Sequence, residues 1–221
     1  MDYRIDALPL VYGDRHLLVV DKPAGLLSVP GRGPDKQDCA LARVRRDHPD
    51  ALVVHRLDMA TSGLLLMARG PAVQRALSRA FEQRRVGKRY LALAAGRIGA
   101  PASVDDDGWG CVDLPLAADW PNRPLQVVDP VHGRPSQTRW RILGYDAARD
   151  ATRVELEPVT GRSHQLRVHL LALGHPILGD ALYAPPAVRE RAPRLLLHAS
   201  VLELVHPATG ERLRWCSPVP F

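Results

Sequence analysis

His55-Arg56-Leu57-Asp58-Met59-Ala60-Thr61-Ser62-Gly63 decides how the rest of the chain is read. A histidine, an arginine and a carboxylate share a short polar stretch that runs straight into the unbroken apolar segment Gly63 to Ala68. A continuous apolar run of that length predicts a strand buried on both faces. Functional side chains concentrate where a loop leaves a rigid scaffold of this kind. On the residues alone Asp58 has two readings: a reacting carboxylate, or an Asx turn or cap bonded to the backbone near Thr61.

Upstream, Leu17 to Asp21 predicts a buried strand ending in the turn Lys22-Pro23-Ala24-Gly25. Pro30 to Asp38 is a loop. Asp38 is placed to cap a short helix that turns Leu41 and Val44 inward. Downstream, Pro71 suits a first helical position. Val73, Ala76, Leu77, Ala80 and Phe81 follow at helical spacing, with Arg75 and Arg79 on the other face. Lys88 to Ala95 predicts the next strand.

Further along, Gln137 to Leu143 and Thr152 to Glu157 alternate polar and apolar residues as half-buried strands do. Ser163 is the expected N-cap of a helix carrying Leu166, Leu170 and Leu173, with Gly174 at C′ and Pro176 just beyond. Strands are expected at about 195–197, 201–205 and 212–215. Many strands and few helices predict an α+β fold on a mostly antiparallel sheet.

The 221 residues are 46% hydrophobic and 24% charged, a globular balance that argues against disorder. No apolar run is long enough to span a membrane. Met1 to Leu10 lacks the basic start and apolar stretch of a secretory leader. Cys39, Cys111 and Cys216 are far apart and odd in number, so no disulfide framework is expected. Together these predict a cytoplasmic protein. The net charge is +6, and 27 of the 30 basic residues are arginine. That excess fits a phosphate-binding surface, because arginine forks onto phosphate, and it equally fits coding bias in an Ala/Arg-rich proteome.

Three further stretches hold candidate chemistry. Tyr90, in Lys88-Arg89-Tyr90, is a stacking platform for a base or a boundary aromatic with a wet hydroxyl. In Thr160 to His169, Gly161 and Arg162 flank a helix N-terminus suited to an anion, and Arg167 shares a face with His164. Arg167 equally reads as half of a surface ion pair, and His164 and His169 as packing residues. Arg75, Arg79, Arg84, Arg85, Lys88 and Arg89 form a basic run that is either a phosphate patch or a solvated face. There is no GxxxxGK[ST], no GxGxxG after a strand, no GxSxG elbow and no zinc-ligand cluster. ATP, dinucleotide and metal chemistry are therefore not indicated, and side chains alone are expected to carry the reaction.

His55 to Gly63 resembles the HRLDxxTSG motif of the RluA family of pseudouridine synthases. The remaining motifs resemble that family in the right order: Leu18 to Gly25, Lys88-Arg89-Tyr90 as K-x-Y, Gly161 to Arg167 as GRxHQLR, Gly174 to Asp180 as GHPxxGD, and Leu196 to Ala199 as LHA. The similarity runs from about residue 10 to the C-terminus. It implies the pseudouridine synthase fold: α+β, a central mostly antiparallel or mixed sheet flanked by helices and loops, with an active-site cleft across the sheet. Many relatives carry an S4 RNA-binding domain before the first motif. Only about ten residues precede it here, so one catalytic domain over 1–221 without an S4 domain is expected. The short length and Asp119-Trp120-Pro121-Asn122-Arg123-Pro124 resemble the subgroup that modifies one uridine in large-subunit ribosomal RNA and one in a tRNA anticodon loop.

The resemblance implies a cofactor-free isomerisation with no metal. The N1–C1′ bond of a uridine breaks, the uracil rotates, and C5 bonds to C1′. Asp58 matches the single essential acid, acting either on C1′ or on the C2′ proton. Arg167 matches the arginine that keeps it ionised; such a partner lowers a carboxylate pKa by roughly 1–3 units. Tyr90 matches the residue that stacks on the target base and helps the C5 proton leave. The base is flipped from its loop at a cost of a few kcal/mol, and Arg56 matches a residue that enters the vacated space.

His55 and Thr61, in the same motif, are expected to contact substrate. Leu166 and Leu197 are expected to line an apolar pocket for uracil, and Arg84, Arg85 and Lys88 to hold phosphates. The expected partners are a tRNA anticodon stem-loop and a large-subunit rRNA hairpin. No membrane or nucleotide cofactor is expected, and the protein should act as a monomer. Two rivals are weaker. An RNA-binding module without catalysis leaves Asp58, Tyr90 and Arg167 together unexplained. A typical glycosidase needs two carboxylates.

Overall fold

The computed structural model describes residues 8–221. Residues 1–7, part of the stretch read above for a leader, lie outside the described residues. In chain order the first elements are β1 (Leu10–Gly13), β2 (Leu17–Lys22), α1 (Ala40–Val44), β3 (Ala51–Val53), β4 (Ser62–Arg69) and α2 (Pro71–Glu82). Next come β5 (Gly87–Ala95), β6 (Gly110–Asp113), β7 (Leu116–Ala118), β8 (Gln126–Val128), β9 (Gln137–Asp146) and β10 (Ala151–Pro158). The chain ends with α3 (Gln165–Ala172), α4 (Pro186–Arg189), β11 (Leu197–Val205) and β12 (Arg212–Cys216). This is the α+β composition expected, on open sheet. Among the described residues no helix is long and apolar enough to cross a membrane. The chain forms two compact units: the described part of Met1–Lys88 with Ala199–Pro220, and Arg89–His198 with Phe221.

In the first unit β2 and β4 pair antiparallel, with Leu17 opposite Ala68 and Lys22 opposite Gly63. β1 adds to β2, β3 adds to β4, and β12 pairs with β11, all antiparallel. β4 is buried over seven of its eight residues, which is why its sequence is an unbroken apolar run. α2 starts at Pro71 as expected and lays Leu77 onto Leu17, Val19, Leu64 and Leu66. Of the positions at helical spacing, Leu77 is fully buried, Val73, Ala80 and Phe81 pack at the margin, and Ala76 stays exposed.

The cap of α1 differs from expectation. The helix begins one residue later than Asp38 requires, so Cys39 is the N-cap and its Sγ accepts from the Ala42 N–H at 3.3 Å. Asp38 instead pairs with Arg43 at 2.6 Å. Ala40 and Val44, four apart on one face, are the buried pair, and Leu41 is half-buried.

In the second unit β10 is flanked by β5 and β9, both antiparallel, and β6 pairs with β9. β7 and β8 form a separate two-stranded hairpin. β10 alternates buried and half-buried residues as expected. Its outward Glu155 and Glu157 meet Arg89, Arg139 and Arg141 in ion pairs.

α3 is capped by His164, not Ser163. His164 is left-handed (φ 55°, ψ 14°), and Gln165 Oε1 accepts from the Arg162 N–H and the Thr160 hydroxyl. Those bonds close the turn before the helix, and the chain enters α3 through the left-handed His164, one residue past the serine. The C-terminus matches expectation: Gly174 has φ +85°, its N–H donates to Leu171 O, and the His175 N–H donates to Leu170 O. That is a Schellman closure. The two strands expected near 195–205 are one strand, β11. His198, Ala199 and Ser200 looked like a break but are buried within it.

Candidate active site

The loop between β3 and β4 carries the His55–Gly63 stretch, and the first unit holds it by its main chain. Leu57, just before Asp58, is buried. Its N–H donates to Ser28 Oγ at 3.1 Å, and Ser28 Oγ–H donates to the Leu57 carbonyl at 2.7 Å. On the other side of Asp58, the Met59 carbonyl accepts from Lys22 Nζ at 3.2 Å and from the Gly25 N–H at 2.8 Å. Asp58 is therefore fixed between two clamped residues. The turn itself is closed by the Thr61 N–H donating to the Asp58 main-chain carbonyl at 3.1 Å.

Gly63, where the loop enters β4, has φ +111°, and a Cβ there would lie 2.3 Å from the Ala199 carbonyl oxygen. Only glycine admits both that conformation and that approach of β11. The last residue of the motif is thus dictated by packing.

Lys22 is fully buried at the end of β2. Its ammonium donates to Pro23 O at 2.9 Å, Leu26 O at 2.8 Å and Met59 O at 3.2 Å, which uses all three of its protons. Burial lowers its pKa to about 8, with the negative charge of Asp58 acting the other way. A buried cation thus lies within electrostatic reach of the candidate carboxylate. In the sequence Lys22 stands inside the Leu18 to Gly25 motif with no role of its own. A lysine directly after an apolar strand was the available signal, since buried lysines need partners.

His55 ties the loop to β4 and α2. Its Nε2 accepts from the Leu66 N–H at 2.9 Å, and its ring stacks on Phe81 with centroids 4.7 Å apart. Burial, and then the Lys88 charge, lower its pKa to about 3. The residue keeps a little accessible surface, but an accepting Nε2 already requires the neutral ring. Thr61 is buried, whereas Arg56 is exposed beside Asp58. Arg84 and Arg85, past the end of α2, are exposed, and Lys88 Nζ sits 5.9 Å above the Phe81 ring.

In the second unit Tyr90 is half-buried on β5, opposite Leu156 of β10. Arg167 on α3 is 3% exposed, so it is no surface ion pair. It makes a fork with Asp180, Nε to Oδ2 at 2.8 Å and Nη2 to Oδ1 at 2.6 Å. Asp180 Oδ1 also accepts from the Leu182 and Tyr183 N–H groups. Asp180 ends the GHPILGD stretch and was not singled out as a charge partner; only its place in that stretch hinted at it. The Tyr183 ring lies 4.9 Å from the Arg167 guanidinium, and its hydroxyl meets His164 Nδ1 at 2.6 Å. His169 is a packing residue, bonded to Thr138 Oγ1 and Leu114 O. Leu166 and Leu197 are both buried.

Within one unit, then, Asp58, Arg56, His55 and Thr61 share a clamped loop beside a buried ammonium. Within the other, Arg167 and Leu166 share a helix braced by Asp180 and Tyr183. The first arrangement can present a carboxylate to an electrophilic carbon or a proton; the second can hold a guanidinium rigidly.

The family model for RNA pseudouridylate synthase matches residues 16–172, which include Lys22, Asp58, Tyr90 and Arg167. The chain is 51% identical over 214 residues to the dual-specificity RNA pseudouridine synthase RluA of Escherichia coli strain K12, covering 97% of this chain and 94% of that protein. It is 46% identical over 214 residues to the protein of the same name from Haemophilus influenzae, again covering 97% of this chain and 94% of the other. Among solved structures, human RNA pseudouridylate synthase domain containing 1 matches with a TM-score of 0.77 at 30% identity, covering 100% of this chain and 87% of that one. With the motifs in order, the sheet architecture shared and the similarity running nearly end to end, the chain belongs to the RNA pseudouridine synthases of the RluA family and is an isomerase that turns uridine in RNA into pseudouridine.

Proposed function

We propose that this isomerase acts on one uridine in a tRNA anticodon stem-loop and one in a large-subunit rRNA hairpin, with Asp58 as its reacting carboxylate. The observation that carries the choice of Asp58 is the clamp on both sides of it, Ser28 on Leu57 and Lys22 on Met59. A group that must meet one reacting atom is best held by its main chain, because a small displacement is costly in rate. The dual-specificity name of the relatives at 51% identity supports the pair of RNA substrates.

In this reading the N1–C1′ bond breaks with its electron pair leaving on uracil N1. Asp58 either bonds to C1′ or takes the C2′ proton. The uracil turns and C5 bonds to C1′ as the carboxylate leaves C1′ or returns the proton to C2′. The C5 proton then leaves with help from Tyr90, which stacks on the base, and N1 takes up a proton in its place. Arg167 supplies the countercharge that keeps the carboxylate ionised. Arg56 fills the space the flipped nucleotide leaves. His55 and Thr61 shape the loop where it meets the ribose, and Leu166 and Leu197 give uracil an apolar wall. Arg84, Arg85 and Lys88 hold phosphates on either side. The protein works as a monomer in the cytoplasm and needs no cofactor.

The test is tritium release from C5-labelled uridine in an isolated anticodon stem-loop and in an isolated rRNA hairpin. Release from both with the RNA chain uncut supports the reading. Binding without release, or cleavage of the RNA or its glycosidic bond, overturns it.

A further inference from the structure

The hairpin β7–β8 presents an exposed aromatic, Trp120, on the turn that joins its strands. Trp120 is 71% exposed, while Trp109, Trp140 and Trp215 are 4%, 5% and 8% exposed. An indole facing solvent on an ordered turn is unusual, because burying it is worth more than for almost any other side chain. The turn is ordered by its own bonds: the Asp119 N–H donates to Leu125 O at 3.0 Å, and Asn122 Nδ2 donates to Asp119 Oδ2 at 3.0 Å. Arg123 lays its guanidinium 3.3 Å from the centre of the indole. The hairpin is anchored at Gln126, whose N–H donates to the Tyr183 hydroxyl at 2.9 Å. That same hydroxyl meets His164 at the start of α3.

Beneath the turn lies a cleft of about 550 Å³ whose walls include Trp120, Gln126, His132, Arg134, Arg162 and Ser163. Its volume falls in the range of sites for small organic ligands. The carboxylate among its described lining residues, Asp129, turns Oδ1 onto the Val131 and His132 N–H groups at 2.9 Å each. Those bonds tie it to its own loop. Arg123, Arg134 and Arg162 have no carboxylate partner among the described residues; Arg162 Nε donates only to the Pro135 carbonyl. One exposed indole beside unneutralised guanidiniums is the pairing that single-stranded nucleic acid uses, bases on the ring and phosphates on the arginines.

We propose that this cleft binds an unpaired nucleotide of the substrate RNA other than the target uridine, its base stacked on Trp120 and its phosphates held by Arg134 and Arg162. The inference rests on the reading that the substrates are stem-loops. It assigns to the second unit a contact that samples loop shape and so contributes to substrate choice.

The experiment is a fluorescence titration of the whole protein with an anticodon stem-loop, with binding followed in parallel by anisotropy of labelled RNA. With the other three tryptophans buried, quenching reports on Trp120. The expected result is quenching that saturates with binding, disappears in Trp120→Phe, and is lost when one particular unpaired nucleotide is made abasic. Trp120→Ala should weaken binding about tenfold, the size of one lost stack, and the loss should fall on KM rather than kcat. Arg134→Gln should lower the slope of log affinity against log salt by about one. Saturable RNA binding that leaves the Trp120 emission unchanged overturns the proposal, as does equal quenching by polyphosphate, which has no base. The titration needs no turnover. A protein that quenches as described but releases no tritium refutes the reaction assigned above and leaves the cleft standing.

Discussion

The buried ammonium of Lys22 donates to the carbonyl of Met59, 37 residues further along the chain, at 3.2 Å. Through that bond the first motif of the sequence holds the residue that follows Asp58. Lys22→Met leaves the Pro23 and Leu26 carbonyls without this donor and leaves the Met59 carbonyl with the Gly25 N–H alone. An unsatisfied buried polar group costs about 1–3 kcal/mol, so denaturant unfolding should show a loss of at least that size. With the loop released, kcat should fall by more than tenfold at a pH and temperature where the variant remains folded. Wild-type kcat in a folded Lys22→Met protein contradicts the clamp.

Arg167 and Asp180 form a buried fork, at 3% and 1% side-chain exposure. Breaking such a pair by removing one partner typically costs about 3–5 kcal/mol. Arg167→Ala and Asp180→Ala should each lose stability on that scale. The double variant should lose clearly less than the sum, because neither charge is left stranded. Additive unfolding free energies would show that the fork contributes no coupling.

Some of this was legible in the residues and some was not. β4 was readable because burial on both faces writes a continuous apolar run. The C-terminus of α3 was readable because a left-handed C′ position calls for glycine, and Gly174 stands there. The start of α3 differs from the serine cap because His164 turns left-handed, a backbone state that residue type alone does not announce. β11 reads as two strands because its middle residues, His198, Ala199 and Ser200, are small or polar, although all three are buried. The candidate acid stood out through its motif. The roles of Lys22 and Asp180 did not, since their partners lie far along the chain and periodicity carries no record of tertiary hydrogen bonds.

Asp14 sets an acid limit on stability. Partial burial works against its ionised form, but the Leu17 and His16 N–H groups and the Tyr12 and His206 side chains together hold its pKa at about 2. A carboxylate whose pKa is depressed by folding contributes stability above its unfolded value, near 3.8, and loses it as pH falls through the folded value. The stability difference between wild type and Asp14→Asn should therefore be constant from neutral pH down to about 4. It should then shrink and vanish near 2. A difference that grows on acidification refutes the assignment.

The exposed arginines of α2 and the turn after it, Arg79, Arg84 and Arg85, are expected to lie on phosphates. Each phosphate contact contributes about 0.7–0.9 to the slope of log affinity against log salt. Replacing all three with glutamine should lower that slope by roughly two and weaken binding to every RNA alike. An unchanged slope, read from titrations at several salt concentrations, shows that the RNA lies elsewhere.

The role of Asp58 is tested most directly by pseudouridine formation in Asp58→Asn, measured alongside RNA affinity and unfolding. Asparagine keeps the size of the side chain and its place between Leu57 and Met59, but it offers neither a nucleophilic carboxylate nor a base. The predicted result is no detectable pseudouridine, with RNA affinity and stability close to wild type. A folded variant that keeps a tenth or more of wild-type turnover contradicts the assignment, and a variant that unfolds shows that the carboxylate serves the turn instead of the reaction.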